Sequence, residues 1–324
     1  MTSSTSPSEQ PAPTRVPHVA LRLLMAAVLA WAVGAVYTLR WNPEVRFFRG
    51  VHEAKRAWEA GLSPSNRVLV VGGSGCMTSI DPVRMREAHG LNVLNLGLGA
   101  GAGAKFLGRY AMDWARPGDR LILSIEPGLL TGPIEWKSLG VQLAAAHGTW
   151  RLWDEPGSWE WPGRLLGLRP GGQHLFTLLG KALLRQPWYR YGLDEIRPGG
   201  WHEVAARRDV ASPGPGPVAL SPEARAWLSE LKTECDRKGV ILAYAIPWFY
   251  GSEADRLVMV EAHRQFLDDV GRLVPVLPDP SMGVNTRRED YADSTVHPTG
   301  EAARRRTDAL ARILRDGHPG SAAR

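Results

Sequence analysis

Ser74 stands in Gly72-Gly73-Ser74-Gly75, directly after the apolar run Arg67–Val71. A serine at a strand-to-helix turn is presented to substrate, and glycines let the backbone turn sharply and let substrate approach closely. Its hydroxyl is a poor nucleophile until a base takes the proton. A base and its orienter lie near the other end of the chain. Asp293-Ser294-Thr295-Val296-His297-Pro298 puts a carboxylate and an imidazole on one short loop, where the carboxylate can reach Nδ1. A third element, Asn95-Leu96-Gly97-Leu98-Gly99-Ala100-Gly101-Ala102-Gly103, follows a second apolar run and can turn a backbone N–H toward an oxyanion at Ser74. Together these residues spell nucleophilic acyl transfer. Taken singly each is ordinary, since Gly-Gly-Ser-Gly is common loop composition and a lone His before a helix is commonly a surface or capping residue. Gly97, Gly99 and Ala102 also match a G-x-G-x-x-A dinucleotide fingerprint. That competing, nucleotide-dependent reading rests on the glycine run alone.

The elements that must position these residues follow from the apolar runs. Strands are expected at Arg67–Val71, Asn92–Leu96, Arg120–Ile125, Val240–Ile246 and Leu273–Leu277. Helices or turns are expected at Asp81–His89, Lys105–Ala115, Pro222–Lys238, Ser252–Val270 and Thr299–Leu314, with Gly239 ending the third of these. Strands alternating with helices predict an α/β fold with a central parallel sheet. The stretch at about 128–215 breaks that rhythm and carries Trp136, Trp150, Trp153, Trp159, Trp161, Trp188 and Trp201 among many Gly and Pro. It reads as an insertion over the working edge of the sheet, a lid or satellite core ahead of a carbohydrate-stacking surface.

Residues 1–17 are rich in Ser, Thr and Pro and read as disordered. Leu23–Leu39 carries no charge and is near the lower length limit for a membrane-spanning helix. An uncleaved anchor at 18–40 is favoured over a cleaved signal peptide and over a buried helix. Residues 41–64 read as a helical connector, 65–317 as the α/β domain and 318–324 as a tail. Arg15 and Arg22 precede the apolar segment, and Arg40, Arg46, Arg49, Lys55 and Arg56 follow it. By the positive-inside rule that count puts the domain in the cytoplasm. The net charge of +6 is Arg-rich and spread along the chain, which makes a solvated basic surface the first reading and a footprint for anionic lipid or glycan the second. No nucleic-acid module is present in the pattern. Cys76 and Cys235 have no metal-ligand spacing and read as small buried residues, and His52, His89 and His147 suggest no metal set.

The three chemical elements resemble the SGNH/GDSL hydrolase family over about residues 65–127 and 216–316. The form is most similar to the membrane-anchored branch associated with O-acylation of bacterial surface polysaccharides. The first block runs from Gly72-Gly73-Ser74 to Ile80-Asp81, the second is Asn95-Leu96-Gly97, and the last spans Asp293 to His297. The resemblance implies a three-layer α/β/α, flavodoxin-like fold and a Ser-His-Asp triad, with Ser74 as nucleophile, His297 as general base and Asp293 as its orienter. It implies an oxyanion hole made by the N–H of Ser74 and of Gly99 or Gly101, and no metal or organic cofactor. It further implies a single-pass inner-membrane protein with its domain in the periplasm, opposite to the charge count. The implied partners are an acylated donor or glycan and a membrane acyl-donor protein. One departure stands out. The family carries an Asn after the third strand, where this chain has Ser124-Ile125-Glu126-Pro127. Ionised Glu126 is an acceptor and cannot replace an amide donor. Either two backbone donors suffice, or the domain is silent and serves glycan binding or assembly.

Overall fold

The computed structural model describes residues 16–148, 161–168, 172–204, 208–214, 216 and 219–316. In chain order the elements are α1 (Val16–Arg40), α2 (Pro43–Ala60), β1 (Arg67–Gly72), α3 (Ser74–Ser79), α4 (Pro82–His89), β2 (Asn92–Asn95), α5 (Ala104–Trp114) and β3 (Arg120–Ser124). They continue with α6 (Ser138–Ala146), α7 (Trp161–Gly167), α8 (Gly172–Leu183), α9 (Pro222–Lys238), β4 (Ile241–Tyr244), β5 (Phe249–Tyr250), α10 (Arg256–Gly271), β6 (Val284–Asn285) and α11 (Gly300–Asp316). The fold is mixed α/β, with a parallel four-stranded sheet in the order β2-β1-β3-β4.

The strands form where continuous apolar runs permit burial on both faces. Leu69, Val71, Leu94, Leu121, Leu123 and Leu242 point to one face, where they meet Phe47 and Val51 of α2, Phe106 of α5, Leu228 of α9 and Phe266 of α10. Val68, Val70, Val93 and Ile122 alternate to the other, against Met85 of α4 and Leu310, Ala311 and Leu314 of α11. The helix signals are as local as expected. Ser221 caps α9 by accepting from Ala224 N–H, Pro222 opens it, and Gly239 at φ 71° closes it.

Two expectations change. The fifth strand at Leu273–Leu277 is reduced to one bridge between Tyr244 and Val276. Pro275 has no N–H and Pro278 follows, so the ladder cannot lengthen. The connector at 41–64 is a core helix: Val45, Phe47, Phe48, Val51 and Lys55 of α2 are buried. Lys55 Nζ donates to Asn95 O at 2.6 Å and Gly200 O at 3.2 Å, tying α2 to the end of β2.

At the start of the sheet, buried Arg67 joins four segments. Its guanidinium bonds Asp119 at 3.1 and 2.6 Å, Glu59 at 2.8 Å and Trp114 O at 2.9 Å. At the other end, Gly97 lies against α3, and a Cβ there would come 2.3 Å from Met77 N. Gly97→Ala is therefore expected to force the second loop off α3. We expect a loss of about 1–3 kcal/mol, read as a lowered thermal midpoint.

α1 is long and apolar enough to cross a membrane. Its first part is exposed, whereas its last turns pack on the domain. Ala35 clusters with Val141 and Ala145 of α6 and with Leu168, joined by Trp31, Leu39 and Leu165. Trp31 Nε1 also donates to Leu165 O at 2.8 Å. Residues 1–15 and 318–324, the expected disordered start and tail apart from Val16 and Pro17, lie outside the described residues.

Candidate active site

Ser74 is the first residue of α3, reached through a turn that only small residues fit. A Cβ at Gly72 would lie 1.9 Å from Ser124 O, and one at Gly73 would lie 2.3 Å from Glu126 Oε2. β1 thus ends flush against β3, and the chain lifts Ser74 out at the carboxyl end of the sheet, where sites form in parallel α/β folds. Ser74 itself is half-buried.

The loop carrying Asp293 and His297 is closed by a bridge between Tyr291 and Pro298, and Ala292 N–H donates to His297 O at 2.9 Å. The bridge sets the two side chains together, with His297 Nδ1 2.8 Å from Asp293 Oδ1. That contact puts the proton on Nδ1 and leaves the lone pair on Nε2. Nε2 is buried and has no hydrogen-bond partner among the described residues. The intervening Val296 packs on the serine turn: a Cβ at Gly75 would stand 3.3 Å from Val296 Cβ, and Thr78 Oγ1 donates to Ser74 O at 2.9 Å.

Asp293 is held by more than its histidine. Arg190 Nη1 and Tyr191 OH both donate to Oδ2, at 2.9 and 3.0 Å. Burial alone would raise this carboxyl, but the hydrogen bond and charge of His297, then Tyr191 and Arg190, hold it down at about 2. Arg190 and Tyr191 belong to the insertion, and sequence reasoning passed over them. The only signal was an Arg between two tyrosines, Tyr189-Arg190-Tyr191, in a stretch without periodicity. The segment behind them is fastened to α3, since Trp201 Nε1 donates to Thr78 O at 2.8 Å and His202 N–H to Met77 O at 3.2 Å. Tyr191 in turn stands edge-on to the His202 ring, with centroids 4.5 Å apart.

Glu126 fills the position where an amide donor was sought. Its Oε2 accepts Gly73 N–H at 3.1 Å and its Oε1 accepts Gly75 N–H at 3.0 Å, so the carboxylate straddles Ser74. Burial raises its pKa, against the opposing pull of these backbone donors and of nearby His297. The two oxyanion candidates lie in the loop after β2, with no hydrogen bond to the Ser74 turn among the described residues. Gly99 packs on the Phe48 ring, where a Cβ would come to 2.6 Å, and Gly101 faces Leu139. From that loop it is Gly97 and Leu98 that touch the serine turn, Gly97 against Met77 and Leu98 N–H on Gly72 O at 3.0 Å. Close packing thus requires glycine at Gly97 and Gly99, and a positive φ of 84° favours it at Gly103.

The described tryptophans of the insertion differ in burial. Trp201 is buried, Trp136 packs against the main core, and Trp188 is exposed. Trp150, Trp153 and Trp159 lie outside the described residues, as does the side chain of Trp161. Among the described residues no three His, Cys, Asp or Glu side chains converge as a metal-ligand set. No family model, curated protein or solved structure matches this chain.

The structure thus brings the loop of Asp293 and His297 against the turn of Ser74, through Val296 at Gly75 and Thr78 Oγ1 donating to Val296 O at 3.4 Å. It joins His297 to Asp293, but no hydrogen bond joins His297 Nε2 to the Ser74 hydroxyl.

Proposed function

We propose that this chain is a serine-dependent acyl-ester hydrolase or O-acyltransferase of the SGNH type, acting on an acylated glycan or donor outside the cytoplasm and held at the inner membrane by α1. The observation that carries the reading is the His297–Asp293 pair with its unpartnered Nε2, next to the turn that presents Ser74. Helices on both faces of the parallel sheet support a three-layer, flavodoxin-like arrangement.

In the proposed reaction His297 Nε2 takes the proton from Ser74 Oγ as Oγ bonds the ester carbonyl carbon. The carbonyl oxygen becomes the oxyanion, facing the N–H of Ser74. Collapse breaks the ester C–O bond, and His297 returns its proton to the departing alcohol. Water or a sugar hydroxyl, deprotonated by His297, then attacks the acyl-serine carbonyl carbon, the acyl C–Oγ bond breaks, and His297 returns the proton to Ser74 Oγ. Water gives an esterase and a sugar hydroxyl gives a transferase, from the same three residues.

A second reading is favoured by Glu126. A carboxylate beside Ser74 opposes an oxyanion there, which suits a silent domain that binds glycan or assembles with a membrane acyl-donor protein. A fluorophosphonate probe separates the two. The full chain is expected to label once and to hydrolyse p-nitrophenyl acetate, with both signals gone in Ser74→Ala. A folded chain that neither labels nor turns over ester moves the assignment to the binding role.

A further inference from the structure

α7 and α8 expose apolar side chains, with Lys181 and Arg185 at the end of α8, that the acyl-transfer reading does not use. We propose that this surface rests on the bilayer entered by α1, with anionic lipid headgroups as its ligand, so that the site opens at the membrane surface. The proposal rests on α1 being a membrane anchor.

The length of α1 is the first argument. Its exposed stretch, His18–Ala30, is about 13 residues, or about 20 Å of helix. A hydrocarbon core is about 30 Å thick. The missing length is supplied by Trp31–Leu39, and these turns are packed on α6 and α7. For α1 to span, the side of the domain that carries α7 has to meet the bilayer.

The composition of α7 and α8 is the second argument. On α8, Phe176, Leu179 and Leu183 recur at helical spacing and are exposed, Phe176 at 77% and Leu183 at 76%. Leu166 of α7, Leu184 and Trp188 are exposed with them. Residues 161–193 contain Arg164, Arg169, Lys181, Arg185 and Arg190 and no Asp or Glu. Exposed Phe and Leu at helical spacing on α8, followed by Lys181 and exposed Arg185, is the composition of helices that lie in a headgroup layer.

The third argument is connectivity. Lys181 Nζ donates to Trp188 O at 3.2 Å, folding the end of α8 onto Trp188. Arg190 and Tyr191, two and three residues later, hold Asp293 Oδ2. A helix lying on lipid is thereby joined through a few residues to the carboxylate that orients His297. The substrate class this favours is an acyl donor or glycan presented at the membrane surface.

The test uses the full chain in vesicles of phosphatidylcholine and phosphatidylglycerol. Cys76 and Cys235 are buried, so a cysteine introduced as Leu179→Cys or Leu183→Cys takes an environment-sensitive fluorophore selectively. Leu257→Cys, at an exposed position on α10, is the control. The labels at 179 and 183 are expected to be quenched by a headgroup-region nitroxide lipid and shielded several-fold from aqueous iodide, with the shielding weaker in phosphatidylcholine alone. The label at 257 should respond to iodide only. Equal iodide access at all three positions would overturn the proposal, and would leave a protein partner as the occupant. Carbonate release of the whole chain from the vesicles would remove the anchor and this proposal with it. Ser74→Ala should quench like the parent, so failure of the serine chemistry leaves the surface assignment standing.

Discussion

Asp293→Asn is expected to lower kcat by about 10⁴-fold while the chain stays folded. The reason lies in the far oxygen of the carboxylate. Arg190 and Tyr191 both donate to Oδ2, so the asparagine must place its carbonyl oxygen there. Its amide N–H₂ then points at His297 Nδ1. The imidazole can only answer with a lone pair on Nδ1, which moves its proton to Nε2 and ends its use as a base toward Ser74. Fluorophosphonate labelling should fall in parallel, with the circular dichroism spectrum unchanged. Tyr191→Phe removes one donor and is expected to cost roughly tenfold, the scale of one hydrogen bond to a charged group. An Asp293→Asn chain of normal kcat would refute the assignment of His297 as base. Linkage gives the same group a stability signature. Its folded value, about 2, lies below the ordinary 3.8, so the contribution is present above that ordinary value and is lost as pH falls through the folded one.

Glu126→Gln is expected to change the shape of the pH profile. The carboxylate lies against the N–H groups on either side of Ser74, so its ionised form sets negative charge where an oxyanion would develop. Its raised pKa extends the neutral form upward in pH. Activity of the parent should therefore fall as pH rises through that value, by on the order of 10²-fold, comparable to the loss of one oxyanion donor. Glutamine cannot ionise, so kcat/KM of the variant should lack this alkaline limb. An identical limb in both proteins would show that Glu126 does not govern it. The variant also has one acceptor oxygen for two backbone donors, and the turn should lose about 1–3 kcal/mol. The sign for stability follows from the raised value. The contribution of Glu126 is complete below its unfolded pKa and is lost as pH rises through the folded one.

The sheet was legible because its strands are local signals. Arg67–Val71 and Arg120–Ile125 are apolar runs closed by turn residues, and they became β1 and β3 within a residue or two. α9 was legible to the residue because Ser221, Pro222 and Gly239 are its caps. α2 was legible as a helix, but the burial of Phe47, Phe48, Val51 and Lys55 was not, because it depends on what covers them, which spacing alone does not state. Of the site, the Asp293–His297 contact was readable because both residues share one short loop. Arg190 and Tyr191 were not, since they reach Asp293 across about a hundred residues from an irregular stretch. Glu126 was legible as a departure and not as a brace, because its two partners are backbone groups that carry no residue-type signal.

The guanidinium of Arg67 bears on how this sequence is free to drift. One planar fork serves Glu59, Trp114 O and Asp119, which come from three separate stretches of chain. A lysine there is a point charge without the fork and cannot match those directions. Loss of the arginine alone would leave buried Asp119 with the Arg116 N–H as its remaining partner among the described residues, while Glu59 keeps Arg116 Nη2, so the cost falls mainly on Asp119. Descendants of this chain are therefore free to vary around Ser74 more readily than around Arg67, and the base of the fold should age more slowly than its chemistry.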